Sequence, residues 1–411
     1  MIIEKDISQL AVGSYVVEIV KQSGNFILKQ PGWVRDFHAI ENLIHQGVQR
    51  VSIDTSKQLP NESELKSHQE NKIPASSKVK KVVKAANKGD NNFHKEEMAE
   101  RFFQAKALFS EAKAVQAKLL DDIEQGRAID ARTVVDLTNQ SIDAIFENPD
   151  ALACVINIRS KDEYLLEHSI SVSILMAIFG KYLNLDRGII SDLTVGAFLH
   201  DVGKIKVPSK ILNKPAKLTA EEFEVIKSHV VHSAHIVNNT EGISELSRKV
   251  VAEHHEKLDG RGYPLGKSAE ELGRYSRMIT ICDIFDALAA DRVYKKGIPQ
   301  IKAFAILREL ASNGELDPEL VDHFIHCLGV YPVGSLVRLS SEKLAMVERV
   351  NQNKPLRPVV RAFFSLRQNV FIEAKDIDLS KDESQQIEQG VRADDFDLDM
   401  NKIAEFLMIQ G

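Results

Sequence analysis

Residues 198–208 read FLHDVGKIKVP. An apolar helical stretch ends there in adjacent His200 and Asp201, and Gly203 and Lys204 follow at once. Neighbours on a helix point roughly 100° apart, so His200 and Asp201 cannot stack as a surface pair. They can converge from one wall on two adjacent metal ions, with the carboxylate bridging both, because Asp offers two acceptor oxygens. Gly203 lets the chain turn and brings backbone close to a ligand. Lys204, one turn on, suits a phosphate oxygen. Taken alone, the same residues equally describe a capped helix C-terminus.

Residues 253–266, EHHEKLDGRGYPLG, add adjacent His254 and His255 and a glycine-rich loop that includes Gly262 and Tyr263. Such a loop can floor a nucleobase or a phosphate. Residues 281–296, ICDIFDALAADRVYKK, place Asp283 in an apolar helix, where a lone carboxylate is costly unless paired or metal-bound. Asp286 is expected to meet Arg277 or Arg292. Arg292 and Lys295 fall two to three turns beyond Asp283, on one side of an extended helix, and suit an anionic substrate. His168 lies in YLLEHSISVS, and His229, His232 and His235 share the helix KSHVVHSAHIV. Spacing alone does not say which of those three is a ligand.

Seven of the thirteen histidines fall between positions 168 and 255. His168, His200, His229, His254 and His255, with Asp201 and Asp283, give a nitrogen and oxygen donor set spread over about 115 residues and lacking cysteine. That set suits Fe or Mn, with Zn, Ni or Co as alternatives. A structural zinc site would use four ligands, often thiolates, at tighter spacing.

The elements that must position these groups are mainly helical. Residues 129–330 carry about nine or ten apolar-periodic helical segments divided by short loops. Thr219 and Glu222 form a capping box for one of them. The sequence divides into an α/β module at 1–55, a polar linker at 56–95, connecting helices at 96–150, a helical domain at 151–330 and a β-rich extension at 331–411. Strands are expected at YVVEIV, NFILK and VQRVSID, and a helix at DFHAIENLIHQG. In the extension, strands are expected at SLVRLS, LAMVERV, PVVRAFF and VFIEA, ahead of a final helix. The apolar stripe Phe102, Ala105, Phe109, Ala112 and Leu119 faces a core, or else a second copy in a homodimer through the 96–125 helix. Net charge of -6 excludes a non-specific binder of polymeric nucleic acid. Cys154, Cys282 and Cys327 read as buried free thiols. Without a signal peptide or a membrane-spanning stretch, a cytoplasmic protein is expected.

HDVGK followed by HHEKLDGRGYP resembles the HD-GYP subgroup of HD-domain phosphohydrolases. DEYLLEHS, KPAKLTAEEFEVIKSH and DIFDALAADRVYK extend the resemblance over residues 155–330. The N-terminal module resembles the domain that precedes this one in some bacterial proteins, and a protein partner is its expected use. The resemblance implies a bacterial phosphodiesterase that opens a cyclic dinucleotide, chiefly cyclic di-GMP, with hydroxide bridging two divalent metal ions as the nucleophile. It implies His229 as the ligand of its helix. One ion would be held by His168, His200, Asp201 and Asp283, and the other by Asp201, His229, His254 and His255. It implies catalytic roles for Asp201 and Lys204, and substrate contacts from Lys204, Gly262, Tyr263, Arg292 and Lys295. Family members often carry Pro and Gly where this chain has Val230 and Ser233, a difference expected to alter the helix locally. Members with a third metal use a Glu at the position of Tyr164, so two ions are expected here, with Glu163 and Glu167 facing elsewhere. The rival readings are a phosphodiesterase for 3′,3′-cyclic GMP-AMP, a catalytically silent dinucleotide receptor, and a nucleotide monophosphate hydrolase.

Overall fold

The computed structural model describes residues 2–7, 10, 14–23, 28, 32–34, 43, 46–54, 90–158, 164–290, 296–351 and 353–409. The chain divides into two units, residues 1–85 and 86–411.

The first unit holds a four-stranded antiparallel sheet of order β1-β4-β2-β3, with β1 Ile2–Asp6, β2 Tyr15–Gln22, β3 Gly32–Trp33 and β4 Val48–Asp54. Val16, Val34, Val48, Val51 and Ile53 form its core. Strands β1 and β3 were not among those expected. The stretch NFILK and the helix at DFHAIENLIHQG fall almost wholly outside the described residues.

The second unit is mainly helical. Its elements are α1 Asp90–Glu124, α2 Ala131–Glu147, α3 Pro149–Asn157, α4 Tyr164–Tyr182, α5 Arg187–Leu199, a 3₁₀ turn Val202–Lys206, α6 Ser209–Leu212 and α7 Ala220–Asn238. There follow α8 Glu245–Glu253, α9 Arg274–Ala289, α10 Gln300–Ser312 and α11 Pro318–Leu328. Helix α1 begins at Asp90, six residues inside the expected linker. Phe102, Ala105, Phe109, Ala112 and Leu119 of α1 join the same core as the other helices. The stripe is thus covered by this chain itself, which removes the reason for a coiled-coil dimer through it. Helix α4 runs through the centre: residues 167–180 are all buried, as befits a helix with no solvent face. It packs against α5 and α9, and α5 packs in turn against α8.

Strands β5 Leu336–Leu339, β6 Lys343–Arg349, β7 Val359–Ser365, β8 Val370–Asp378 and β9 Ile387–Val391 make an antiparallel sheet of order β8-β7-β6-β5-β9. Alternation splits its strands between two cores. Leu336, Leu344, Met346 and Phe364 join the helical core, while Val337, Leu339, Ala345 and Val347 form a second. Strand β9, IEQGV, escaped the sequence because Glu388, Gln389 and Gly390 interrupt its apolar ends. The last helix, α12 Met400–Ile409, packs back onto the sheet, with Phe406 5.1 Å from Phe371 between ring centroids. Among the described residues, no helix is long and apolar enough to cross a membrane.

Candidate metal centre

Two helices end on the residues that matter. His200 caps the C-terminus of α5, and His254 caps that of α8. His229 sits mid-way along α7, whose start is fixed by the expected capping box: Glu222 N–H donates to Thr219 Oγ1 at 3.2 Å, and Thr219 N–H to Glu222 Oε2 at 2.8 Å. His168 comes from the first half of α4 and Asp283 from α9. Asp201 stands between α5 and the 3₁₀ turn.

The orientation of the rings follows from their backbone partners. His200 Nδ1 lies 2.6 Å from the Ala197 carbonyl, His229 Nδ1 2.6 Å from that of Ile226, and His254 Nδ1 2.7 Å from that of Val251. A carbonyl only accepts, so each Nδ1 carries the proton and each Nε2 of the neutral ring carries a lone pair. Those lone pairs converge: His229 Nε2 and His254 Nε2 are 3.3 Å apart. His168 is turned the same way by Asp286, whose Oδ2 lies 2.7 Å from His168 Nδ1.

The two carboxylates each face both sides of this cluster. Asp201 Oδ1 lies 3.2 Å from His229 Nε2 and 3.9 Å from His254 Nε2. Its Oδ2 lies 3.4 Å from His168 Nε2 and 3.3 Å from His200 Nε2, and also meets Lys204 Nζ. Asp283 Oδ1 lies 3.0 Å from His168 Nε2, and its Oδ2 3.4 Å from His255 Nδ1. Three overlapping groups have donor atoms within 4.8 Å of one another: His229, His254 and His255; His168, His200 and Asp283; His200, Asp201 and His254.

This donor set fits divalent cations. His200 Nε2 and Asp201 Oδ1 are buried and lack a hydrogen-bond partner, which is costly for a polar atom unless something else satisfies it. Lone pairs facing carboxylate oxygens repel unless a cation sits between them. The anchoring of each imidazole through its other nitrogen is the arrangement that metal-binding histidines use.

Electrostatics follow the same lines. Burial alone would raise the Asp201 carboxyl, but Lys204 and the neighbouring imidazoles outweigh it and hold the group well below the usual carboxylate range. Asp283 is depressed in the same way, chiefly by His168. Burial drives His254 far below the ordinary imidazole value, helped by the neighbouring rings, and lowers His255 to about 3. His168 goes the other way: burial opposes its charge, but Asp283 and Asp286 win and raise it.

The 3₁₀ turn presses against α7 through Gly203. A Cβ there would lie 2.1 Å from the His229 carbonyl oxygen and 2.4 Å from Ser233 N. Gly203 N–H donates to Ser233 Oγ at 2.8 Å. The glycine thus serves close approach to α7, which brings Asp201 to His229, rather than close approach to a ligand. Val230 and Ser233 leave α7 unbroken from Ala220 to Asn238. Both are buried.

Tyr263 stands over the cluster, its ring centroid 4.6 Å from that of His255. Burial, with Asp283 and Asp201 nearby, raises its hydroxyl pKa. Glu256 fixes this loop by accepting from Leu265 N at 2.7 Å and Lys267 N at 2.9 Å. A Cβ on Gly262 would lie 2.4 Å from Lys257 N. The loop's own packing therefore demands glycine there, whatever the substrate.

Three expectations are corrected or fall outside the description. Asp286 meets His168, and Arg277 pairs with Asp317 at 2.9 Å, while Arg292, the other expected partner of Asp286, lies outside the described residues. The signal for Asp286 was a second carboxylate in an apolar helix one turn from Asp283. Helix α9 ends at Ala289, and the Ile298 N–H returns to the Leu288 carbonyl at 2.9 Å. Arg292 and Lys295, expected on its continuation, lie outside the described residues. Glu163 and the Tyr164 side chain also lie outside them. Glu167 faces away from the cluster and pairs with Lys113 at 3.0 Å.

The HD-domain family profile matches residues 154–320, and a domain of unknown function (DUF3391) matches residues 2–134. A cyclic di-GMP phosphodiesterase of Pseudomonas aeruginosa is 33% identical over 382 residues, covering 91% of this chain and 88% of its own length. A 3′3′-cGAMP-specific phosphodiesterase of Vibrio cholerae is 34% identical over 186 residues, 44% of this chain and 40% of its own length. A cyclic di-GMP phosphodiesterase of Thermotoga maritima is 30% identical over 196 residues, 47% of this chain and 52% of its own length. With an HD domain behind a DUF3391 module and a relative that matches nearly end to end, this chain belongs to the HD-GYP family of HD-domain phosphodiesterases.

Proposed function

We propose that the protein hydrolyses cyclic di-GMP to linear pGpG, with GMP as a further product, at a centre of two divalent cations. The observation that carries this reading is the split of Asp201. Its Oδ1 faces His229 and His254, and its Oδ2 faces His168 and His200. A carboxylate placed that way would serve two cations, one on each side. His168, His200, Asp201 and Asp283 would hold one cation, and Asp201, His229, His254 and His255 the other. Iron or manganese suits this thiolate-free set, with Zn, Ni or Co as alternatives. Such cations lower the pKa of a water to near neutrality and neutralise phosphoryl oxygens.

The chain's own groups do the rest. Asp201 and Asp283 fix the positions at which a phosphodiester is held. Lys204, only partly exposed beside Asp201, offers its ammonium to a non-bridging phosphate oxygen and opposes the charge that builds there. Tyr263 walls the site on the His255 side and faces a base. Arg292 and Lys295 are assigned to the second phosphate or a guanine edge by resemblance alone.

The full-length similarity to a protein named for cyclic di-GMP favours that substrate. Similarity to relatives named for 3′,3′-cyclic GMP-AMP supports a second reading, hydrolysis of the mixed ring. A silent receptor is disfavoured because every donor of the set is present and directed inward. Metal analysis of protein purified without oxygen, with product analysis on both dinucleotides side by side, tests the proposal. Asp201→Ala should abolish hydrolysis of either ring, and full activity in that variant would end the account.

A further inference from the structure

We propose that Phe223 is a purine-stacking platform at the mouth of this site; the inference rests on the cyclic dinucleotide reading above. Phe223 stands on the first turn of α7, six residues before His229, and is 44% exposed. It is not a stray surface residue. Its ring centroid lies 6.4 Å from that of Tyr263, at 79° between planes. Tyr263 in turn lies 4.6 Å from His255 and 6.4 Å from His229. The aromatic rings therefore run outward in a row from the candidate metal centre, and Phe223 is the outermost.

Lys227, one turn along α7, holds the row together. Its Nζ lies 5.0 Å from the Phe223 centroid and 5.6 Å from that of Tyr263, within the range of a cation–π contact to both. Glu224 Oε1 meets the same ammonium at 2.7 Å. With its charge matched by Glu224, Lys227 serves to fix the two rings rather than to take a phosphate. The outcome is a preset apolar face beside the centre, open to solvent.

A cyclic dinucleotide fits that layout. Its scissile phosphate sits among the histidines, and a purine projects from the ring by one sugar, the direction in which the aromatic row leads. Stacking tolerates any base, because every base has a π-face. Phe223 therefore raises affinity for guanine and adenine rings alike and leaves their discrimination to other groups.

The test is Phe223→Ala, assayed on cyclic di-GMP, on 3′,3′-cyclic GMP-AMP and on glycerophosphoglycerol, a diester without a purine or any other aromatic ring. The expected result is a KM raised about five- to a hundredfold on both dinucleotides, the range that loss of one stacked base gives. The loss of kcat/KM on the purine-free diester should be at least tenfold smaller than on cyclic di-GMP, and Phe223→Trp should restore the KM. A KM within twofold of wild type on both dinucleotides would overturn the platform while leaving the substrate reading intact. Equal losses on all three substrates would also overturn it, since Phe223 would then be shaping the centre rather than meeting a base. Wild-type protein that turns over neither dinucleotide would sink the substrate reading and the platform together.

Discussion

Asp286 stands behind His168, and its removal should separate the affinities of the two proposed cation sites. Its Oδ2 accepts from His168 Nδ1 at 2.7 Å, and both residues are buried. Asp286→Ala leaves the ring free to turn and its Nδ1–H without that acceptor. Loss of such a partner behind a metal-binding histidine weakens metal affinity by about 10- to 100-fold, or roughly 1.4–2.7 kcal/mol. A buried hydrogen bond to a charged group is worth about 1.5–3 kcal/mol of folding stability, which bounds the effect on the fold. A destabilisation of that size should leave the domain folded against a typical total of about 5–15 kcal/mol.

The loss should fall on one ion only, because His168 faces Asp283 Oδ1 and Asp201 Oδ2 but not the His229, His254 and His255 group. Titration of apo-protein with Mn²⁺ against a competing chelator should therefore change from two tight equivalents to one tight and one weak. The gap between variant and wild type should widen with pH. Asp283 and Asp286 raise the proton affinity of His168, so at low pH the wild type must lose a proton to bind metal, while the variant does so less. Asp286→Asn, which keeps an acceptor, should lie between the two. Two wild-type equivalents in Asp286→Ala would refute the reasoning.

Gly203→Ala forces a methyl into the backbone of α7 at 2.1 Å from the His229 carbonyl oxygen; it should cost about 1–3 kcal/mol in a urea melt and should reduce Mn²⁺ stoichiometry by moving Asp201 from His229. The metal-free protein should lose stability on acidification from pH 7 toward 4, as read by thermal melts in chelator. His254 and His255 stay neutral when folded; depressed pKa values stabilise above the unfolded value near 6.5 and lose that contribution as pH falls. Each contributes a slope of up to about 1.4 kcal/mol per pH unit below about 6.5, whereas raised His168 is protonated in both states there and its opposite-signed contribution falls above that pH. A flat melting temperature over that range would show that the two rings are not held neutral.

Much of the centre was legible because its ingredients are local. HDVGK, EHHEKLDGRGYP and Asp283 within an apolar run announce donor atoms where such atoms are costly, and a capping box or a terminal glycine marks where a helix begins or ends. What spacing reads is a single helix. It could not find Asp286, because the partner that explains it lies 118 residues away on another helix. It extended α9 toward Arg292 and Lys295, because nothing local showed that the helix ends at Ala289. It gave Gly203 to a ligand, when only the packing of the 3₁₀ turn on α7 shows what the missing Cβ makes room for.

The types of donor, their lack of thiolate and the helices that carry them were thus determined by sequence alone, since each depends on residue chemistry and short-range periodicity. Which oxygen of Asp201 faces which pair of rings, and which donors meet at all, was decided only by tertiary structure, because packing between distant helices brings those groups together. The inward nitrogens of His200, His229 and His254 are set by carbonyls three residues back in the chain, and that of His168 by Asp286 on another helix.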